Sequence, residues 1–356
     1  MGLRRITCLL LLISLLHACG MPAPRVTQQL TTPAPSRATQ PADSMYIERL
    51  DARLDALIAP GTTIELLASG YEWSEGPQWV GPAEGGSLVF SDVPTNRAYR
   101  WTEATGVELL LEPSGFTGAY FGGKEPGSNR LFLDPQGNLL LCQHGDRRIA
   151  RMEAPLDAPE AKFATVVADY GGKRLNSPND IAWHRNGDLY FTDPPYGLPG
   201  GQGESCLKEL DFQGVYRFRF ADSTLTLLTA EMSRPNGLAF TPDYGALIVA
   251  NSESSEAVWM KYPVAEDGTL GEGQVWFDAT EQARGGAKGV PDGMVMHSSG
   301  VLFATGPGGI FVLDEAAQSL GIIRTGQATA NCTLNADESV LYITADSLLL
   351  RMPLAP

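Results

Sequence analysis

A hairpin-like unit that recurs six times constrains the fold of this chain more than any other feature. In its clearest copy, residues 175–193 read LNSPNDIAWHRNGDLYFTD, with a polar step at Asn179, a short apolar strand, a turn at Gly187 and a second strand ending at Asp193. Apolar strand-like runs on both sides of a glycine-containing turn are typical of a β-hairpin. Its repetition indicates a fold assembled from similar sheets.

The six units align on one polar residue each, at the start of the first strand. These residues are Glu75, Asn129, Asn179, Asn236, Asp292 and Asn331. In four units that residue lies ten positions before the first leucine of the second strand, and the other two units differ only in turn length. Units of roughly 40 to 58 residues that open with two strands fit four-stranded propeller blades. We therefore predict an all-β, six-bladed β-propeller, and a β-sandwich is the alternative.

The segment before the repeats predicts how the ring closes. The sixth unit has room for only three strands before the chain ends at Pro356. Residues 62–67, TTIELL, read as a strand that would supply the missing outer strand and leave no free sheet edge. Residues 45–58 carry apolar residues at helical spacing and predict a short amphipathic helix. The expected organisation is a helical lead-in at residues 45–61 followed by the propeller at residues 62–356.

The extreme N-terminus predicts export. Arg4 and Arg5 precede the apolar run 6–16, which is too short to span a bilayer and is typical of a secretory signal peptide. Residues 16–19, LHAC, resemble a bacterial lipobox, so residues 1–18 are predicted to be cleaved and Cys19 to carry lipid. Residues 19–44 are rich in Pro, Thr, Gln and Ser and predict a disordered tether. We expect a lipoprotein at the periplasmic face of a bacterial membrane, or a soluble exported protein if Cys19 is not lipidated.

Composition excludes several classes of partner and site. The net charge is −15 and no Lys/Arg cluster follows the N-terminus, which argues against nucleic acid as the partner. Cys142, Cys206 and Cys332 are the cysteines beyond the lipobox, and their odd number without a CxxC motif gives neither a disulfide framework nor a zinc knuckle. One disulfide among them is an alternative that the sequence leaves open, as it leaves open the oligomeric state.

The six aligned polar residues predict a metal site. The first strand of each propeller blade lines the central channel, so equivalent positions converge on its axis. All six residues are Asp, Glu or Asn, whose side-chain oxygens are ligands for hard cations. Glu75 and Asp292 would balance the charge of a divalent ion. We expect one divalent metal, with Ca²⁺ favoured and Mg²⁺ or Zn²⁺ as alternatives.

Other catalytic chemistries find little support in the sequence. There is no GxSxG elbow, no HExxH motif and no Walker loop. His184 and His297 fall in the turns between first and second strands, away from the predicted axis. His144 follows a second strand and is expected at the channel mouth, either as a site residue or as a buried structural histidine.

Five short motifs, spread from residue 70 to 310, resemble those of the SMP-30/gluconolactonase/luciferin-regenerating-enzyme family, bacterial gluconolactonases in particular. They are SEGPQW at residues 74–79, SPND at 177–180, YFTDPPYG at 190–197, RPNGL at 234–238 and PDGM at 291–294. The resemblance implies a six-bladed propeller with one divalent metal at the top of the channel. The implied ligands are Glu75, Asn179, Asn236 and Asp292, with Asn179 either a ligand or a residue that faces the substrate.

The resemblance also implies hydrolysis of sugar lactones, a carboxylic-ester hydrolase activity. The metal would polarise the lactone carbonyl while an acidic residue activates water. Asp292 is the expected base, with His144 as the alternative catalytic residue. We expect Asn129, Asn179, Asp193 and Tyr196 to contribute to substrate binding. The rival hypotheses are a phosphotriesterase- or aryl-esterase-like hydrolase and a non-catalytic, lipid-anchored binding propeller.

Overall fold

Short antiparallel strands joined by tight turns make up nearly all of the protein. The structure is a computed structural model that describes residues 45–200 and 205–355. The predicted signal peptide, the lipid site at Cys19 and the tether fall within residues 1–44, outside the described residues.

The strands are numbered in chain order. Those of the first half are β1 (Tyr46–Arg49), β2 (Glu65–Ser69), β3 (Ser74–Val80), β4 (Ser87–Asp92), β5 (Arg97–Thr102), β6 (Gly106–Leu111), β7 (Ser128–Leu133), β8 (Leu139–Gln143), β9 (Arg148–Met152), β10 (Phe163–Val167), β11 (Asp169–Tyr170) and β12 (Lys173–Arg174). Those of the second half are β13 (Ile181–Trp183), β14 (Leu189–Asp193), β15 (Gly214–Arg219), β16 (Thr224–Thr229), β17 (Pro235–Phe240), β18 (Ala246–Glu253), β19 (Glu256–Pro263), β20 (Gln274–Asp278), β21 (Met294–Met296), β22 (Leu302–Gly306), β23 (Gly309–Leu313), β24 (Ser319–Arg324), β25 (Thr329–Leu334), β26 (Val340–Ala345) and β27 (Leu348–Pro353).

Six antiparallel sheets form the blades of a β-propeller, as the repeat predicts. The first five blades are β3–β6, β7–β10, β13–β16, β17–β20 and β21–β24, and the sixth combines β25–β27 with β2. The strands β11 and β12 form a separate hairpin between the second and third blades, and the helix α1 (Thr280–Arg284) lies between the fourth and fifth. Among the described residues, no helix is long and apolar enough to cross a membrane.

The hydrophobic core lies mainly between neighbouring blades. The second strand of a blade is covered on both faces, so its apolar residues run continuously instead of alternating with polar ones. All five residues of β8, LLLCQ, and all five of β22, LFATG, are buried. This burial explains why the second strands were the most regular part of the repeat. It also fixes the first strands, which carry the polar residues, next to the central axis.

The ring closes through the N-terminal strand, which confirms the predicted closure. The strand β2 pairs antiparallel with β27, with Glu65 opposite Arg351 and Ser69 opposite Leu348. Nε of Arg351 lies 2.7 Å from Oε2 of Glu65, and the guanidinium lies 5.5 Å from the ring centroid of Trp101 in the first blade. The strand begins later than predicted because residues 59–62 form a turn, in which the N–H of Thr62 donates to the carbonyl of Ala59.

The amphipathic helix predicted over residues 45–58 is wrong in its first half. Residues 46–49 form β1, which pairs with β24 and extends the fifth blade to five strands. Only Ala52–Ala56 is helical, as a single 3₁₀ turn that buries Leu54. The exposed edge of β24 offered unpaired backbone groups, and an ion pair of 2.6 Å between Glu48 and Arg324 fixes the added strand. Tertiary pairing therefore overrides the local helical spacing.

Candidate active site

The predicted donors lie where the first strands of the blades are locally irregular. The pairing register shifts between Glu75 and Gln78 in β3, between Ser128 and Leu131 in β7, and between Pro235 and Leu238 in β17. Such a β-bulge leaves residues unpaired and changes the direction of their side chains. It allows the donor at each blade start to face the channel while the rest of the strand remains paired.

Glycines that follow two of the donors allow the blades to approach each other closely. A Cβ atom on Gly76 would lie 2.1 Å from the carbonyl oxygen of Asn129, and one on Gly237 would lie 2.3 Å from that of Asp292. Both distances are far below van der Waals contact, so only glycine fits there. The Glu75-Gly76 and Asn236-Gly237 pairs of the motifs therefore bring donors from neighbouring blades together.

A cavity of about 310 Å³ opens at this end of the channel, and five of the six aligned residues line it. Its lining residues are Trp73, Glu75, Glu125, Asn129, Asn179, Tyr196, Arg234, Asn236, Ser252, Ser254, Val290 and Asp292. The sixth aligned residue, Asn331, contributes no lining. Its Nδ2 instead donates to Oε2 of Glu75 at 3.3 Å, so that its side chain supports a donor.

Glu75 and Asp292 differ in access to the cavity. Glu75 is 2 % exposed, and its Oε2 accepts hydrogen bonds from the N–H of Gly76 and the amide of Asn331. Asp292 is more accessible than Glu75 and accepts a hydrogen bond from the side chain of Asn236. Burial raises the pKa of Glu75 to about 7, and burial together with the charges of Glu75 and Asp180 raises the pKa of Asp292 well above its usual value. These carboxylates therefore lack an adequate positive partner.

The nearby cation, Arg130, is committed to other groups. Its Nε lies 3.4 Å from Oδ1 of Asp180, an ion-pair distance without good hydrogen-bond geometry, and its Nη1 donates to the carbonyl of Pro77 at 3.1 Å. When Glu75, Asp180 and Asp292 are all ionised, Arg130 neutralises only one of the three charges. The buried group thus has a net charge that one divalent cation would balance.

The residues around the cavity fit a hard divalent cation. Besides the carboxylates of Glu75 and Asp292, and that of Glu125 at the edge, they supply three amide side chains, and Oδ1 of Asn129 is buried without a hydrogen-bond partner. No cluster of three or more His, Cys, Asp or Glu residues suited to a metal occurs among residues 45–200 and 205–355, so a site here depends on amide oxygens. An all-oxygen set suits Ca²⁺ or Mg²⁺ better than Zn²⁺, which prefers nitrogen and sulfur ligands.

One wall of the cavity is ordered by Ser252. Its Oγ accepts a hydrogen bond from Nδ2 of Asn236 at 2.9 Å and donates to the carbonyl of Pro291. Tyr196 also hydrogen-bonds to this hydroxyl, and burial raises the pKa of the phenol well above its usual value. Ser252 therefore connects two predicted site residues to the chain that carries Asp292.

Asp193, predicted to bind substrate, lies outside the cavity. Its two carboxylate oxygens accept hydrogen bonds from the N–H groups of Asn176 and Ser177, both at 2.8 Å. The side chain is fully buried, and its hydrogen bonds order residues 176–177, where the SPND motif begins. The structure brings Asn129, Asn179 and Tyr196 to the cavity but gives Asp193 this supporting position.

The burial of Asp193 predicts how stability depends on pH. Burial raises the pKa of this carboxyl to about 7 in the folded protein, against an unfolded value of about 3.9. The folded state then binds the proton more tightly, so the free energy of unfolding falls as pH rises from about 4 to about 7. For the metal-free protein we expect a loss of roughly 3–4 kcal/mol from this group. Denaturant unfolding across that range should show a smaller pH slope in Asp193→Asn, and an unchanged slope would contradict the assignment.

The three histidines among the described residues, His144, His184 and His297, do not line the cavity. His144 is fully buried beside Glu125, with its Nδ1 at 3.4 Å from Oε2 of that residue, and neither ring nitrogen has a hydrogen-bond partner. Glu125 lines the cavity and His144 does not. His184 packs between Tyr190, Phe240 and Tyr244, and Nε2 of His297 lies 3.4 Å from Glu338.

Sequence reasoning missed Trp73, Glu125, Arg234 and Ser252. Two of them carried a usable signal: Arg234 begins the RPNGL motif, and Ser252 lies at the end of a second strand. Trp73 precedes Glu75 by two residues, and its side chain hydrogen-bonds that carboxylate. Glu125 lies in the connection between the first and second blades, outside the aligned strands, so the repeat could not indicate it.

The chain matches the sequence model of the SMP-30/Gluconolactonase/LRE-like region over residues 73–347. It is 39 % identical to a gluconolactonase from Zymomonas mobilis over 319 residues, which cover 86 % of this chain and 85 % of the relative. A solved gluconolactonase from Xanthomonas campestris superposes with a TM-score of 0.75 at 30 % identity, covering 90 % of this chain and 99 % of that one.

A more distant structure shares the fold alone. The calcium-binding protein regucalcin from Agrobacterium tumefaciens has a TM-score of 0.60 at 17 % identity, over 81 % of this chain and 92 % of its own. The family match spans the first five blades, which supply the five aligned residues that line the cavity, and most of the sixth blade. Fold, motifs and comparisons therefore agree, and the chain belongs to the SMP-30/gluconolactonase/LRE-like family.

Proposed function

We propose that this protein is a metal-dependent lactonase that hydrolyses a sugar lactone in the cavity at the top of its channel. One observation carries the proposal: two carboxylates without an adequate positive partner and three amide side chains surround a cavity accessible to small molecules. Its volume of about 310 Å³ lies at the lower end of the range for small-molecule sites. The similarity to the Zymomonas and Xanthomonas gluconolactonases supports a lactone as substrate.

Glu75, Asn179, Asn236 and Asp292 are the residues that would hold the metal, with Ca²⁺ the expected ion. When bound, such an ion supplies Lewis-acid polarisation of the lactone carbonyl and charge stabilisation of the oxyanion. Asn129, with its unpartnered Oδ1, would complete the set of oxygen atoms or contact the substrate. Both roles use the same inward-facing amide.

Asp292 is the residue that accepts the proton of the attacking water. It is the more accessible of the two carboxylates in the ring, whereas hydrogen bonds from Gly76 and Asn331 occupy Glu75. As the water oxygen bonds to the carbonyl carbon, its proton passes to Asp292. The bond from that carbon to the ring oxygen then breaks, and the proton returns to the alkoxide that leaves. Tyr196 is kept protonated by its burial, and its phenol would donate to a substrate oxygen when it exchanges its hydrogen bond to Ser252 for that contact.

An assay of two substrates with and without chelator tests this function. We expect the purified protein to open glucono-δ-lactone with a turnover number between about 1 and 10³ s⁻¹ and to lose that activity in EDTA. Added Ca²⁺ should restore it. Turnover of an organophosphate triester but not of the lactone would favour the phosphotriesterase alternative. Turnover of neither substrate in saturating Ca²⁺ would support a non-catalytic binding propeller.

We also propose that the protein is exported and held at the periplasmic face of a membrane by lipid on Cys19. The support is the basic, apolar and LHAC sequence of residues 4–19, followed by the Pro- and Thr-rich residues 21–44. Cells grown with labelled palmitate should incorporate label into the wild-type protein but not into Cys19→Ser. Equal labelling of both, or of neither, would contradict the lipid anchor.

A further inference from the structure

Glu125 lies at the edge of the cavity on a loop that both adjoining blades hold. In the loop of residues 112–127, the N–H groups of Gly115 and Phe116 donate to Oδ1 of Asn96 in the first blade. The hydroxyl of Thr117 donates to Asp146 in the second blade at 2.7 Å. The N–H of Gly145 also donates to the carbonyl of Pro126 at 3.2 Å, so the backbone next to Glu125 is anchored, while the side chain of Glu125 remains 36 % exposed.

His144 contacts Glu125 from inside the protein. The ring is inaccessible to solvent, and its Nδ1 lies 3.4 Å from Oε2 of Glu125. Gly197 covers the histidine closely, because a Cβ atom there would lie 2.4 Å from the Cβ of His144. The N–H of Gly197 in turn donates to Oγ of Ser177 at 2.9 Å. The imidazole is thus fixed beside the carboxylate and cannot itself enter the cavity without displacing this turn.

This arrangement assigns different roles to the two residues. A carboxylate that is open to a cavity accepts hydrogen bonds from hydroxyl groups, and such charge-assisted bonds are short and strong. Glu75, Asn179, Asn236 and Asp292 surround the proposed position of the reacting carbonyl. Glu125 therefore faces a part of the lactone away from that carbonyl. A lactone that carries several hydroxyl groups would present them to this wall.

We propose that Glu125 is a specificity-determining residue that binds hydroxyl groups of the lactone and that His144 is its positioning residue. This inference rests on the proposed lactonase function and deepens it, since it states which lactones the site prefers. Polyhydroxylated lactones are favoured over lactones of the same ring size without hydroxyl groups. His144, predicted from the sequence as an alternative catalytic residue, acts only through Glu125.

Two lactones with the same ring size test the assignment. Glucono-δ-lactone carries hydroxyl groups, whereas δ-valerolactone carries none. In Glu125→Gln we expect KM for glucono-δ-lactone to rise by about 10- to 100-fold with little change in kcat, because one charge-assisted hydrogen bond is weakened. The kcat/KM for δ-valerolactone should remain at the wild-type value. An equal loss for both lactones, or no change for either, would overturn the specificity role.

A double-mutant cycle tests the role of His144. His144→Gln should raise KM for glucono-δ-lactone in the wild-type background but have no further effect when Glu125 is already Gln. Additive effects would overturn the positioning role. His144→Asn provides a second variant if the first does not fold, and thermal unfolding identifies that case. The wild-type protein shows which hypothesis fails. If it opens neither lactone, the proposed lactonase function is wrong. If it turns over lactone normally and Glu125→Gln has unchanged selectivity, only the specificity role of Glu125 is wrong.

Discussion

Replacing Asp292 by Asn should lower kcat for glucono-δ-lactone by about 10²- to 10⁴-fold, because a positioned general base contributes a factor of that size. The substitution retains the shape of the side chain and one oxygen that can face a cation. It removes the proton acceptor and one negative charge of the buried group. Rates measured in millimolar Ca²⁺ compensate for weaker metal binding, and calorimetric titration of Ca²⁺ into the variant checks that the ion still binds.

A matched substitution controls for general effects of losing an acid. Glu108 lies exposed on β6, away from the cavity, and Glu108→Gln should keep wild-type kcat and KM. If Asp292→Asn binds Ca²⁺ and still turns over lactone at a near-normal rate, Asp292 is not the base. Since His144 is enclosed behind Glu125, the remaining carboxylate in the ring, Glu75, would then be the next residue to replace.

Replacing Arg130 by Met should be the most destabilising change near the channel. Asp180 would remain buried at 2 % exposure without the cation that it pairs with, and breaking a buried ion pair from one side costs about 3–5 kcal/mol. We expect the midpoint of thermal unfolding of the metal-free protein to fall by on the order of 10 °C. Differential scanning calorimetry measures this shift, and Arg151→Met, at an exposed position of β9, is the control.

The partner substitution separates charge from packing. In Asp180→Asn the side-chain oxygen can still accept the N–H of Ile181, so the local turn is retained. Adding Asp180→Asn to Arg130→Met should recover a large part of the lost stability, because the charge that Arg130 leaves without its partner is then also removed. If the double variant is as unstable as the sum of both single variants, the ion pair is not the source of the effect.

The six blades and the positions of their polar donors could be predicted because the same two-strand pattern occurs six times in the sequence. Second strands are apolar throughout, and each first strand begins with a polar residue in nearly the same register, which placed Glu75, Asn129, Asn179, Asn236 and Asp292 at one cavity. Nothing in the repeat indicated that Asn331 would turn its amide to Glu75. That contact joins the last blade to the first, between residues 256 positions apart in the sequence.

The remaining differences arise where the chain departs from the repeat. Residues 46–49 form a strand because an unpaired blade edge lies beside them, and a local pattern cannot record that edge. The carboxylate of Asp193 accepts hydrogen bonds from the backbone N–H groups of Asn176 and Ser177. Glu125 belongs to the connection between the first and second blades, outside the aligned strands. Each depends on contacts between segments distant in sequence, which hydrophobic periodicity does not encode.

The central claim is that the ring of oxygen donors binds one divalent ion and that this ion is required for lactone hydrolysis. The most direct test is to titrate Ca²⁺ into metal-stripped protein and to measure the initial rate of glucono-δ-lactone opening after each addition. We predict almost no turnover before Ca²⁺ is added, a linear rise in the rate as Ca²⁺ is added, and saturation when one ion is bound per chain. Full activity in the stripped protein, or no lactone opening at any Ca²⁺ concentration, would contradict it.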